Sequence, residues 1–272
     1  MDGHDNMQTI AIANQKGGCG KTTTAVNLAA AMAELGKKVL LIDMDMQAHA
    51  TLGLGIEPET VSKSIYDVMS DPDTPVVRAI LPTAVPSLDI MPSNILLSGL
   101  DVELAHRTGR EFVLKKKLEG FRGRYDYCVI DCAPSLSLLT LNALATSEYV
   151  IVPVQTQYYA LEGLKQLLET LDIVRNRLNA RLSILGVLLT FYEGRTLLSR
   201  DVEQQMRDYF KDKVFKTVIR RTVRLAEAPS AGQPITTYDP RCKGADEYRA
   251  LAREVCDVET QRRTTEKGVL HI

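Results

Sequence analysis

Asn14-Gln15-Lys16-Gly17-Gly18-Cys19-Gly20-Lys21-Thr22-Thr23 lies between an apolar run, Ile10 to Ala13, and an alanine-rich stretch with helical character. Gly17, Gly18 and Gly20 allow backbone conformations closed to residues with a Cβ, so successive N–H groups, those of Cys19 and Thr23 included, can converge on phosphate oxygens. The helix that opens near Lys21 turns its positive dipole end toward the same point. Lys21 is placed to meet β- and γ-phosphates, and the Thr22 hydroxyl to ligate Mg²⁺. A bare turn between strand and helix has no use for two lysines and two threonines at these offsets. The stretch reads as a cradle for a nucleotide, with ATP and Mg²⁺ as the expected cofactors.

In the P-loop pattern G-x-x-x-x-G-K-[ST], counting back from Gly20-Lys21-Thr22 puts Gln15 where the first glycine belongs. The run from Lys16 is instead the deviant Walker A form, with a second lysine near the start of the loop. Lys21 already serves the bound phosphates, so Lys16 is better used on a nucleotide held by a second subunit. N-Q-K-G-G-C-G-K-T-T-T-A-V-N-L-A resembles the ParA/Soj branch of the deviant-Walker ATPases. The resemblance implies an ATP-sandwich homodimer in which Lys16 contacts the partner's nucleotide, and with it a catalytic role for Lys16 and Lys21.

Working outward, the strand before the loop, the helix from Lys21 to about Leu35 and the apolar run Lys38 to Asp43 make a βαβ unit. Asp43-Met44-Asp45-Met46-Gln47 follows at the carboxyl end of that strand, where open α/β sheets place ligands. Phosphoryl transfer needs one polar group to hold the nucleophile in line. Asp45 is the expected group. Asp43, Asp45 and Gln47 are similar to the family's D-x-D-x-Q, and the resemblance gives the hydrolytic role to the second aspartate. Met46 and Ala48-His49 replace the usual proline and glycine-asparagine, and His49 reads as a loop histidine facing water.

Tyr125 to Asp131 is an apolar strand ending in an acid, a Walker B strand whose Asp131 is expected at Mg²⁺. Further strands are expected at Ser87 to Met91, Tyr149 to Val154, Leu182 to Thr190 and Val214 to Ile219. Helices are expected over Leu96 to His106, Arg110 to Leu118, Ala160 to Leu178, Thr196 to Phe210 and Gly244 to about Val258. Lys115-Lys116-Lys117 reads as a solvated helix face. The alternation predicts an α/β fold: one doubly wound, mostly parallel sheet with helices on both faces. Residues 1–8 read as a short extension, 9–258 as the ATPase domain and 259–272 as a polar, flexible tail.

The 272 residues are 45% hydrophobic and 25% charged, enough for one large domain. Five cysteines without a C-x-x-C pair argue against a disulfide framework or a zinc site. With no signal peptide or membrane span, the expectation is a soluble, cytoplasmic protein, nucleoid-associated in its ATP form. The formal net charge is −1, so nucleic-acid binding needs a local basic patch. Arg207, Lys211, Lys213, Lys216, Arg220, Arg221 and Arg224 form such a strip against only Asp208 and Asp212 in that stretch. Phosphate contacts alone make such a strip suit sequence-independent binding of double-stranded DNA.

Phe191 to Thr196 and Val223 to Ser230 are similar to two ParA/Soj segments whose arginines bind DNA, here Arg195 and Arg224. The family often has P-R-N beside the adenine, where this chain has Arg220-Arg221-Thr222. Arg221 and Thr222 are therefore expected on the nucleotide side, and Arg220 adds a charge for DNA. The implied partner is a ParB-like protein that stimulates ATP turnover, and the implied output is chromosome or plasmid segregation. Rival readings are a ParA-like positioning ATPase for a protein cluster or organelle, a MinD-like membrane-associated division-site regulator, and a metabolic kinase or amidoligase. The MinD reading needs a C-terminal amphipathic helix, for which Ala252 to Ile272 has too few spaced apolar residues, so no stable membrane binding is expected.

Overall fold

In the computed structural model, residues 7–158, 160 and 162–269 are described. The strands are β1 (Gln8–Ile12), β2 (Val39–Met44), β3 (Leu81–Pro82), β4 (Leu88–Met91), β5 (Tyr127–Cys132), β6 (Tyr149–Gln155) and β7 (Ser183–Thr190). They form one sheet in the order β3-β4-β2-β5-β1-β6-β7, parallel except for the short β3 against β4. Strands buried on both faces explain why these runs are apolar without a polar side. Alternate residues feed two cores. Ala11, Leu40, Ile42, Cys128 and Ile130 pack on one face, and Ile10, Ile12, Val39, Leu41 and Val129 on the other. Each fully buried leucine or isoleucine contributes about 1.5–3 kcal/mol. The doubly wound reading holds.

Chain direction across the sheet reverses beside β1. The chain leaves β1 for β2 and β4 on one side, returns to β5, then crosses to β6 and β7 on the other. The carboxyl ends of β2, β5 and β1 therefore stand side by side, with Asp131 opposite both Asp43 and Ile12 in register. This is the crevice where such sheets hold ligands. Helix α1 (Lys21–Glu34) covers it from one face, and its buried Ala25, Ala29, Ala30 and Ala31 let it lie close to the sheet.

Four expectations need correction. Val214 to Ile219 is not a strand: Phe215 N–H and Ile219 N–H reach β7, but the amides of Lys216 and Thr217 go to the Glu254 carboxylate. A helix side chain has taken the place of the ladder. The closing helix runs from Lys243 to Val269, so the expected flexible tail is helical through Val269, and 270–272 lie outside the described residues. Glu259, Arg262, Arg263, Glu266 and Lys267 are ordinary helix formers with no proline among them, and polarity alone hid that. At the other end Met7 is buried and Gln8 opens β1, so only 1–6, outside the described residues, remain of the expected extension. The helix expected over Leu96 to His106 is a 3₁₀ turn, Ile95–Gly99, followed by one α-turn, Leu100–Glu103.

Candidate active site

The loop after β1 is held by contacts from three directions. Asn14 donates its Nδ2–H to the carbonyl of Pro153 at 2.7 Å and accepts the Lys16 N–H at 3.0 Å. Thr190, at the end of β7, donates its hydroxyl to the carbonyl of Cys19 at 2.9 Å. Lys21, only 7% exposed, donates its Nζ to the carbonyl of Lys16 at 3.0 Å. Gly18 and Gly20 take φ of 69° and 85°, where a Cβ is strained. At Gly17 and Gly18 an added Cβ would meet no atom within 4 Å, so the loop arches over open space. Burial raises the Cys19 thiol pKa, while the charge of Lys21 pulls it back.

Helix α1 starts without help. Gly20 at its N-cap offers no side-chain acceptor, and no acid stands in the first turn. Its first amides and positive dipole end are left for an external anion.

Asp131 is fully buried, and neither carboxylate oxygen has a hydrogen-bond partner among the described residues. Burial pushes its pKa well above the usual carboxylate range, and the charge of Asp43 adds to this; nearby Thr22 and Lys21 offset part of it. A buried carboxylate without donors is costly, and a hard oxygen-binding cation removes the cost. Asp131 and the Thr22 hydroxyl form a donor set that fits Mg²⁺.

Asp43 is also fully buried, but satisfied. It accepts the Thr51 N–H at 2.9 Å, the Thr51 hydroxyl at 2.7 Å and the Asp45 N–H at 3.1 Å. Burial raises its pKa to about 6 against these bonds. Thr51, in turn, accepts the Ser93 N–H at 3.0 Å. The first aspartate of the D-x-D-x-Q run thus fixes the backbone that carries the second. Asp45 is partly exposed beyond the end of β2 and accepts the Gln47 N–H at 3.0 Å. Next to it, helix α2 (His49–Leu52) begins, with His49 exposed. The turn after α2 meets the chain at Gly232 backbone to backbone: an added Cβ at Gly232 would sit 2.7 Å from Gly55 Cα.

Of the remaining expected residues, Lys16 lies in the loop itself and the arginines lie on the flank beyond β7. Lys16 is half-buried, and its ammonium makes no hydrogen bond or ion pair among the described residues. Arg195 is exposed and makes no ion pair among them either. Arg221 is exposed and reaches Glu193 at 3.5 Å, while the Thr222 hydroxyl accepts the Leu225 N–H and caps the short helix Val223–Glu227. Arg224 pairs with Glu227 at 3.0 Å and with Asp239 at 3.4 Å. Arg220 is also paired: its N–H and its guanidinium both engage the buried carboxylate of Glu247, so this arginine ties the segment to the closing helix. Arg207 is paired with Glu203. The local sequence concealed these counter-charges because most come from other elements.

Thr190, Thr51, Ser93 and Glu247 were not singled out in the sequence. Each acts across 27 or more residues, except the Thr51–Asp43 contact, eight residues apart, where a threonine after a loop aspartate was the available signal.

An uncapped helix N-terminus under a glycine arch, a buried lysine and an orphaned carboxylate on the next strand define a P-loop nucleotide-hydrolase site. Residues 7–184 match the family model described as AAA domain. The sporulation initiation inhibitor protein Soj of Bacillus subtilis is 54% identical over 246 residues, 90% of this chain and 97% of that protein. The chromosome partitioning protein ParA of Caulobacter vibrioides (strain NA1000 / CB15N) is 47% identical over 258 residues, 94% of this chain and 96% of its own length. The crystal structure of cobyrinic acid a,c-diamide synthase from Mycobacterium smegmatis, with bound ADP and magnesium, is similar at a TM-score of 0.80 and 37% identity, covering 91% of this chain and 93% of that one. The chain belongs to the ParA/Soj family of partitioning ATPases.

Proposed function

We propose that this protein is an ATP-driven clamp for DNA segregation: ATP joins two copies, the joined pair grips duplex DNA without regard to sequence, and hydrolysis releases it. The observation that carries the reading is the contrast between the two loop lysines. Lys21 is buried inside the cradle, whereas Lys16 stands half-exposed with no intramolecular partner, available to a nucleotide on a second copy.

In this reading the α1 N-terminus and the amides of Gly17 to Thr23 hold the phosphates, and Lys21 neutralises the β- and γ-oxygens. Thr22 and Asp131 would hold Mg²⁺, which supplies further neutralisation of the triphosphate. Asp45 orients the attacking water, its loop fixed through Asp43 and Thr51. Arg195 and Arg224, with Lys211, Lys213 and Lys216, supply the DNA contacts. A ParB-like protein stimulates turnover, and the ATP form resides on the nucleoid. The sequence from Val258 to Val269 is polar between its terminal valines, too few apolar residues for a lipid-binding stripe.

The test is size-exclusion chromatography of Asp45→Ala with ATP, with and without generic duplex DNA. A dimer that co-elutes with DNA is expected, and an Arg195→Glu copy of it should dimerise yet lose the DNA. In the parent, DNA affinity should fall about 10-fold or more as salt rises from 50 to 200 mM, as counterion release requires. A monomer carrying intact ATP, or binding indifferent to salt, would refute the clamp.

A further inference from the structure

We infer, building on the across-subunit role proposed for Lys16, that Asn14 is the positioning residue that aims this lysine out of its own site. Strand β6 pairs with β1 only as far as Ile12–Ile151 and then runs on to Gln155, leaving the Pro153 carbonyl beyond the end of β1. The Asn14 carboxamide fills that gap. Its Nδ2–H takes the Pro153 carbonyl at 2.7 Å and its Oδ1 takes the Lys16 N–H at 3.0 Å. Asn14 is itself 5% exposed and its bond to Pro153 is buried, so a lost partner leaves a buried polar group bare.

The other side of the same residue is fixed as well, since the Lys16 carbonyl accepts Lys21 Nζ at 3.0 Å. The peptide units on both sides of Lys16 are therefore anchored, one to the central sheet and one to the phosphate-binding lysine. With its backbone fixed at both ends, the Lys16 side chain leaves the loop in a set direction. Removing the Asn14 carboxamide frees one end, while Lys21, the glycine arch and the Thr190 tether on Cys19 still hold a nucleotide within the same subunit.

Asn14→Ala should therefore separate two properties that a loosened loop would lose together. ADP affinity, measured with a fluorescent analogue, should stay within about threefold of the parent. ATP-dependent dimerisation, measured by sedimentation of full-length protein carrying Asp45→Ala, should weaken about tenfold or more. Lys16→Ala should weaken the dimer at least as much, and the double variant no further, because coupled residues are not additive. Thr190→Val cuts the loop's other tether and serves as the control for simple loosening; it should change ADP affinity and dimerisation in proportion. Equal losses of ADP affinity and dimerisation in Asn14→Ala, or additivity in the double variant, would overturn the role of Asn14. A Lys16→Ala protein that dimerises normally would instead overturn the across-subunit reading beneath it. Should Asn14→Ala not fold, Asn14→Ser, which keeps a short polar group, reads the same ratio.

Discussion

Lys21 and Arg224 are both cations expected to meet phosphate, yet the protein holds them on different terms. Lys21 is 7% exposed and donates to a backbone carbonyl in the loop that it serves. Arg224 stands half-exposed on a short helix and shares two carboxylates, Glu227 and Asp239. The cradle is built before its ligand arrives: the desolvation cost is met in folding, and the donors need little rearrangement. In the proposed clamp the arginine flank works by exchange. Surface ion pairs contribute about 0–1 kcal/mol each, so trading a carboxylate for a DNA phosphate is nearly neutral and easily reversed. A tight site and a releasable one follow from burial alone.

That contrast can be broken at three places. The largest effect is expected on the cradle side: Lys21→Ala should cost about 2–5 kcal/mol of nucleotide affinity, because it strips a charge partner from a dry site. Nucleotide titration checks this, and a loss of only a few-fold would mean that the arch and helix end suffice without the lysine.

Asp131→Asn comes next and acts in the opposite direction on stability. Asp131 and Asp43 have folded pKa values raised by burial, that of Asp43 to about 6. A raised carboxylate contributes stability that is complete below the unfolded value near 4 and lost as pH climbs through the folded value. At pH 7 without ligands, replacing the Asp131 charge by an amide should therefore stabilise the protein by about 1–3 kcal/mol, the gain growing from pH 4 upward. Thermal melts across pH read the difference between the two proteins, and the same variant should lose its Mg²⁺-dependent nucleotide binding. A gain independent of pH would show that the charge of Asp131 is compensated in the ligand-free protein.

The smallest effect belongs to the flank. Asp239→Asn removes one partner of Arg224 and should raise DNA affinity by about 0–1 kcal/mol with a steeper salt slope, leaving nucleotide affinity unchanged. Filter binding over a salt series measures it. A decrease would mean that Asp239 holds Arg224 in its DNA-binding pose.

The same contrast explains what could be read from the sequence. The cradle is contiguous, Lys16 to Thr23, and its chemistry depends on neighbours in the chain, so residue types and spacing suffice. Asp131 and Asp45 were singled out because they stand at the carboxyl ends of apolar strands, Asp131 within β5 and Asp45 just past β2. The supports were not. Thr190 reaches Cys19 from 171 residues away, and Glu247 reaches Arg220 from another element. The basic strip looked nearly unopposed because the sequence displays charges along a line, whereas Glu193, Asp239 and Glu247 meet it through the fold. Val214 to Ile219 has the residues of a strand, yet the Glu254 carboxylate takes two of its amides, a competition that no local pattern records.

Gly55 and Gly232 meet with φ of 75° and 62° and no room for a methyl group between them. Gly55 lies downstream of Asp45, and Gly232 follows the segment carrying Arg224. Where main chains abut in this way, neither can advance without displacing the other. In the proposed clamp, the loop that carries Asp45 and the flank that carries Arg224 thus share a single pivot, and a lone alanine at position 232 should jam both at once.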